Sequence, residues 1–99
     1  DAQDLAIAAI GSLAAESAYI SINSTGPGAT ATGEDAIAIG ESTTATGARS
    51  TALGAQADAT DEETTAIGFN ANSTGFHSSA IGALADATGL GSTAVGWGS

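Results

Sequence analysis

The chain has 99 residues, with eleven carboxylates, a single basic side chain of fixed charge (Arg49), no cysteine and a formal net charge of -10. That balance excludes a nucleic-acid binder, which needs a Lys/Arg surface to displace counterions, and it excludes docking on anionic lipid. The absence of cysteine excludes a disulfide framework and any thiolate metal site, and the hydrophobic 42% is mostly alanine, with two Phe, one Trp, one Tyr and no Met.

Side chains this small fill a thin flattened tube more readily than a thick globular core. No apolar run approaches the roughly 20 residues of a membrane span, so direct membrane insertion is not expected. An acidic surface favours solubility and suits a basic partner. No n-region or cleavage site is visible, which places any signal peptide outside this chain. The pattern is cut at both ends, as in a piece excised from something longer.

Residues 1–23 are the least regular. Asp1 to Asp4 is polar, and Leu5 to Leu13 is an Ala/Ile run. Ala9-Ile10-Gly11 carries a signature that returns later, one residue out of phase. Tyr19-Ile20-Ser21-Ile22 alternates like a strand. The segment reads as one or two degenerate starting coils, or as an N-terminal cap, in preference to an amphipathic helix. Terminal repeats of solenoids are atypical because they close an open edge.

From Ser24 the chain enters a strict register. Gly26-Pro27-Gly28 signals a turn, and then Ala38-Ile39-Gly40 recurs as Ala52-Leu53-Gly54, Ala66-Ile67-Gly68, Ala80-Ile81-Gly82 and Ala94-Val95-Gly96, every 14 residues. A second marker keeps the same period: Thr32-Gly33, Thr46-Gly47, Thr60-Asp61, Thr74-Gly75 and Thr88-Gly89. A short period without insertions is the signature of a solenoid, each repeat one coil stacked on the last. Each unit splits into two short extended segments, each followed by a turn at Gly plus variable residues. Glycine suits those turns because it reaches φ > 0 without steric cost.

Side chains alternate across a strand. One face therefore collects Ala38, Ala52, Ala66, Ala80 and Ala94 with Ala36, Ser50, Thr64, Ser78 and Ser92. In the other segment Ala45, Ala59, Ser73 and Ala87 share a face with Thr43, Ala57, Ala71 and Ala85. These small columns line the roll interior. Ile39, Leu53, Ile67, Ile81 and Val95 then point outward as one aliphatic stripe. A contiguous apolar patch marks an interface, and an alanine-filled roll buries little apolar area by itself. The stripe therefore predicts a homo-oligomer, most simply cyclic.

The run from Ala29 to Gly96, with Ala-Ile-Gly, Ala-Thr-Gly and Ser-x-Ala-Ile-Gly elements at 14-residue spacing, resembles the head repeats of trimeric autotransporter adhesins of the YadA-like type. The resemblance implies an all-β fold, a left-handed parallel β-roll that assembles as a homotrimer. It implies a virulence-associated activity, attachment to host extracellular matrix proteins such as collagen, fibronectin or laminin, or to the host cell surface. It implies a location at the bacterial surface, as the exposed passenger of an outer-membrane fibre. Residues 24–99 match head repeats, without a neck, stalk or anchor. Asp61 departs from the pattern where Gly is expected, and Glu62-Glu63 follow it.

Stacked coils lie about 4.8 Å apart, so residues 14 apart are neighbours. One column reads Asp35, Arg49, Glu63, His77, which places Arg49 between two carboxylates. Another reads Thr44, Asp58, Asn72, Asp86, with Asn72 separating two like charges. His77, Ser78 and a carboxylate do not make a triad without a pocket and an oxyanion hole, so enzyme activity is not expected. Asp58, Asp61, Glu62 and Glu63 match no calcium-loop spacing, and Gly89-Leu90-Gly91 lacks the lysine of a phosphate loop. No cofactor or metal is expected. Phe69, Phe76 and Trp97 fall in turn columns as candidate ligand contacts, since aromatics are enriched at binding hot spots. The unbroken Thr32, Thr46, Thr60, Thr74, Thr88 column raises a second reading, an ice-binding β-solenoid, and a passive spacer in a surface fibre is a third.

Overall fold

A computed structural model describes residues 21–99 and, apart from these, Gln3. The degenerate starting coils or cap expected over 1–23 fall almost wholly outside the described residues. Ser21 and Ile22, at the end of the strand expected there, are in no strand.

Among the described residues, ten short strands alternate between two parallel sheets. The first sheet holds β1 (Thr30–Ala31), β3 (Thr44–Ala45), β5 (Asp58–Ala59), β7 (Asn72–Ser73) and β9 (Asp86–Ala87) in that order. The second holds β2 (Ile37–Ile39), β4 (Thr51–Leu53), β6 (Thr65–Ile67), β8 (Ser79–Ile81) and β10 (Thr93–Val95). Every pairing joins residues 14 apart, for example Ala52 to Ala66 and Asp58 to Asn72. The fold is thus an all-β parallel solenoid of about five coils.

The core explains why alanine dominates. Ala45, Ala52, Ala57, Ala59, Ala66, Ala71, Ala80, Ala85 and Ala87 form one buried cluster, with Ala36, Ala38 and Ala94 packed against its ends. Thr43, Ser50, Thr64, Ser73 and Ser78 share the interior, and among the described residues the largest fully buried side chain is a threonine. The two sheets approach too closely for anything bulkier. A buried methyl group contributes only about 0.8 kcal/mol, so the backbone ladder carries much of the order. It runs through the strands and also through the turns: Arg49 N donates to Glu34 O at 2.7 Å, Glu63 N to Ala48 O at 2.8 Å, and Gln56 N to Glu41 O at 2.8 Å.

The coil register begins at Pro27, whose carbonyl accepts from Ser42 N at 2.9 Å. Just before it, Ser24 leaves the sheet pattern. Its hydroxyl donates to Glu41 Oε2 and accepts from Gly26 N, both at 3.2 Å.

Glycine supplies only part of the positive φ in these turns. Gly40, Gly54, Gly68 and Gly82 do have φ of 118–130°. The left-handed residue of each turn, however, lies two positions further on and recurs every seventh residue. It is Asp35, Ser42, Arg49, Gln56, Glu63, Asn70, His77 and Leu84, with φ of 54–62°, then Gly91 and Gly98. With Ala57 N donating to Gly54 O at 3.1 Å around Gln56, the geometry is that of a type II turn. Gly33, Gly47 and Gly75 have ordinary φ. They are glycine because a Cβ would strike the carbonyl of the residue stacked beneath, Gly47, Asp61 and Gly89 respectively.

Asp61 keeps the turn but loosens it. Its carbonyl accepts from the Thr64 hydroxyl at 2.7 Å, and its own carboxylate accepts from Glu62 N at 2.8 Å. The bonds tying this turn to the following coil are stretched. Thr60 N to Ser73 O is 3.2 Å against 3.0 Å elsewhere in its column, and His77 N to Glu62 O is 3.1 Å against 2.7–2.8 Å.

Candidate functional site

The two outer faces carry different chemistry. On the second sheet Ile39, Leu53, Ile67, Ile81 and Val95 stand in one column through paired strands. Leu53, Ile81 and Val95 are exposed, Val95 at 65%, while Ile39 and Ile67 are half-buried. Ile37, also exposed, heads the neighbouring column, followed by Thr51, Thr65, Ser79 and Thr93. Five coils at about 4.8 Å each make this stripe roughly 20 Å long. The first sheet presents no such stripe. Its outward column is Thr30, Thr44, Asp58, Asn72 and Asp86.

The three aromatic candidates do not converge. Phe69 and Trp97 share the turn column beside the aliphatic stripe, and Phe76 lies on the turns at the other edge of the roll. All three are exposed, Trp97 at 80%. Phe76 packs edge-on against His77 with ring centroids 3.9 Å apart.

Beside Phe76 runs the charged column, and its pairing is directional. Arg49 reaches forward to Glu62 Oε1 at 2.6 Å and Glu63 Oε1 at 2.9 Å. In the stack Arg49 does lie between the turns of Asp35 and Glu63, but among the described residues its side chain pairs only with the two glutamates. Hydrogen bonds to Glu63, and then to Glu62, hold its guanidinium above its already high pKa. His77 Nδ1 lies 3.4 Å from the other oxygen of Glu63. All four side chains are more than 40% exposed, so this network contributes little to stability.

On the first sheet a polar groove of about 360 Å³ is lined by Gln56, Asp58, Asn70, Asn72, Leu84 and Asp86. Asn72 Nδ2 donates to Asp86 Oδ1 at 3.2 Å. Asp58 Oδ1 is shut off from solvent without a partner among the described residues, and burial pushes the Asp58 carboxyl above its ordinary pKa. The column is visible in the sequence and the groove is not. The turn residues Gln56, Asn70 and Leu84 form its wall, and only coil stacking brings them beside the strand. Among the described residues no group of His, Cys, Asp and Glu is placed to hold a metal ion, and no helix is long and apolar enough to cross a membrane.

The stacked 14-residue coils coincide with a known family of repeats. The model of the YadA head domain repeat (2 copies) matches at residues 24–42, 31–57, 45–71 and 73–99. No curated protein matches the chain, and no solved structure does. The matches run from the first turn signal to the last residue, and on that ground the chain belongs to the YadA head domain repeat family, a family of cell-surface adhesin heads.

Proposed function

We propose that this chain is the head of a bacterial surface adhesin, with residues 24–99 as head repeats and 1–23 as degenerate starting coils or an N-terminal cap. In this reading the roll is left-handed and three copies associate through Ile39, Leu53, Ile67, Ile81 and Val95. The trimer is the exposed passenger of an outer-membrane fibre and a virulence factor. It attaches to host extracellular matrix proteins such as collagen, fibronectin or laminin, or to the host cell surface.

The observation that carries this reading is the asymmetry of the two faces. One sheet exposes a continuous aliphatic column, and the other exposes Thr, Asp and Asn. Association consumes the first and leaves the second, with the turn columns of Phe69, Phe76 and Trp97, for ligands. Three equivalent copies convert weak contacts into avidity.

The test has two arms. Molar mass in solution should be that of three chains, falling to one in Ile67→Asp, which places a charge in the middle of the stripe. A solid-phase panel of matrix proteins should retain the trimer and lose the variant. A monomeric wild-type chain would overturn the assembly, and unchanged binding by a monomeric variant would overturn the avidity. The ice-binding reading rests on the Thr32–Thr88 column. Asp58 and Asp86 in the adjacent column break the flat apolar-hydroxyl surface that reading needs, and thermal hysteresis is expected to be absent. The passive-spacer reading is separated by the same panel, since a spacer trimer would bind no matrix protein.

A further inference from the structure

The tripeptide Asn-Ser-Thr occurs twice, at Asn23-Ser24-Thr25 and at Asn72-Ser73-Thr74. Asn-x-Ser/Thr, with x other than Pro, is the acceptor pattern for N-linked sugar. The two copies are identical, so only their surroundings distinguish them.

Asn72 opens β7, the fourth of five strands in the first sheet. Its backbone N donates to Ala85 O at 2.8 Å and its side-chain amide nitrogen donates to Asp86 Oδ1 at 3.2 Å. Ser73 beside it is fully buried, its hydroxyl 2.6 Å from that of Ser78. Thr74 N is tied to Ala87 O at 3.0 Å. A transferase has to hold the tripeptide in its own cleft with the amide nitrogen free, and here that requires removing a strand from between two others.

Asn23 stands in the opposite condition. Asn23, Ser24 and Thr25 are all exposed and belong to no strand. Ile22 and Ser24 on either side line a shallow groove with Ile39 and Glu41, and Asn23 is not part of that lining. The Ser24 hydroxyl anchors the segment to Glu41 and to Gly26 N. The Asn23 amide has no hydrogen-bond partner among the described residues.

We infer that Asn23 is an N-glycosylation acceptor, and that Asn72, with the same tripeptide, is not one in the folded protein. The donor is a nucleotide-activated hexose, and a transferase supplies the base. The Asn23 amide nitrogen attacks C1 of the sugar and an N–C1 bond forms. The bond from C1 to the diphosphate oxygen breaks, and the nucleoside diphosphate leaves with the electron pair. The amide proton passes to the base of the transferase. No oxidant or metal is consumed, and the chain keeps its net charge.

The test incubates the folded 99-residue chain with UDP-glucose and a soluble N-glucosyltransferase that accepts Asn-x-Ser/Thr. Readouts are intact mass and peptide mapping, with synthetic peptides spanning each tripeptide as substrates in parallel. Both peptides should be accepted, and the folded chain should gain one hexose, on Asn23. Asn23→Gln should abolish that gain and Asn72→Gln should leave it unchanged. Hexose on Asn72 of the folded chain, an unmodified Asn23 in the folded chain, or rejection of the Asn23 peptide would each overturn the assignment.

Discussion

Asn72 is stacked directly over Asp58 in the parallel register, yet it gives its amide hydrogen bond to Asp86 on the far side. Asp58 Oδ1 is left buried without a partner. Burial disfavours the charged carboxylate, so the folded-state pKa of Asp58 is raised. A raised carboxyl pKa means that the folded chain binds the proton more tightly than the unfolded chain does. The ionised group therefore costs stability above the folded pKa, and that cost fades as pH falls through the folded and then the unfolded value. Asp58→Asn should melt higher than wild type at neutral pH, and the gap should close in acid. A gap that is constant from pH 7 to pH 3, measured by thermal denaturation, would show that charge is not the cause.

Ser73 and Ser78 form a buried hydroxyl pair, and Ser78 also reaches Ala87 O at 3.2 Å. The two are therefore not equivalent. Ser73→Ala leaves Ser78 with a partner and should cost about 1 kcal/mol or less. Ser78→Ala strands the Ser73 hydroxyl in an alanine interior and should cost about 1–3 kcal/mol. The double variant leaves neither hydroxyl stranded and continues the alanine column of Ala45, Ala59 and Ala87 through position 73, so it should be more stable than Ser78→Ala alone. Chemical denaturation of the three variants gives the coupling directly.

Two glycines make a contrasting pair. A Cβ on Gly68 would lie 2.7 Å from the carbonyl carbon of Gly82, on a backbone with φ of +127°. Gly68→Ala has no relaxed position, because the coil beneath is fixed by its own ladder, and about 2 kcal/mol or more of destabilisation is expected. Around Gly28 nothing lies within 4 Å and φ is not in the left-handed range. Gly28→Ala should be neutral or stabilise by about 0.4–1 kcal/mol through the unfolded chain.

Leu84 holds φ of +62° and is 42% exposed. A left-handed leucine costs about 1–2 kcal/mol, and asparagine tolerates that region far better. Asn70, at the equivalent place one coil earlier, shows that the turn accepts it. Leu84→Asn should raise Tm by roughly 4–8 °C for each kcal/mol recovered in a domain of this size. No increase would mean that Leu84 packs on the groove wall well enough to offset its strain.

The stacking, the register and the sorting of side chains into faces are all legible along the chain. A 14-residue period leaves one way to place coil on coil, and the period-2 alternation then separates Ala38, Ala52, Ala66, Ala80 and Ala94 from Ile39, Leu53, Ile67, Ile81 and Val95. Both patterns are one-dimensional and survive being read along the chain. Whatever depends on distances between coils emerges only when the coils are stacked. The left-handed residue recurs every seventh position whether it is Asp, Arg, Gln, His or Leu, because the ladder above and below fixes the backbone and overrides local preference. Gly33, Gly47 and Gly75 are required by a carbonyl 14 residues away, a constraint invisible in their own turn. Arg49 chose Glu62 and Glu63 over Asp35, and Asn72 chose Asp86 over Asp58, because a column gives adjacency and only side-chain geometry gives the partner. The polar groove and the difference between the two Asn-Ser-Thr tripeptides have the same origin, since identical residues acquire different access once one of them lies inside a sheet.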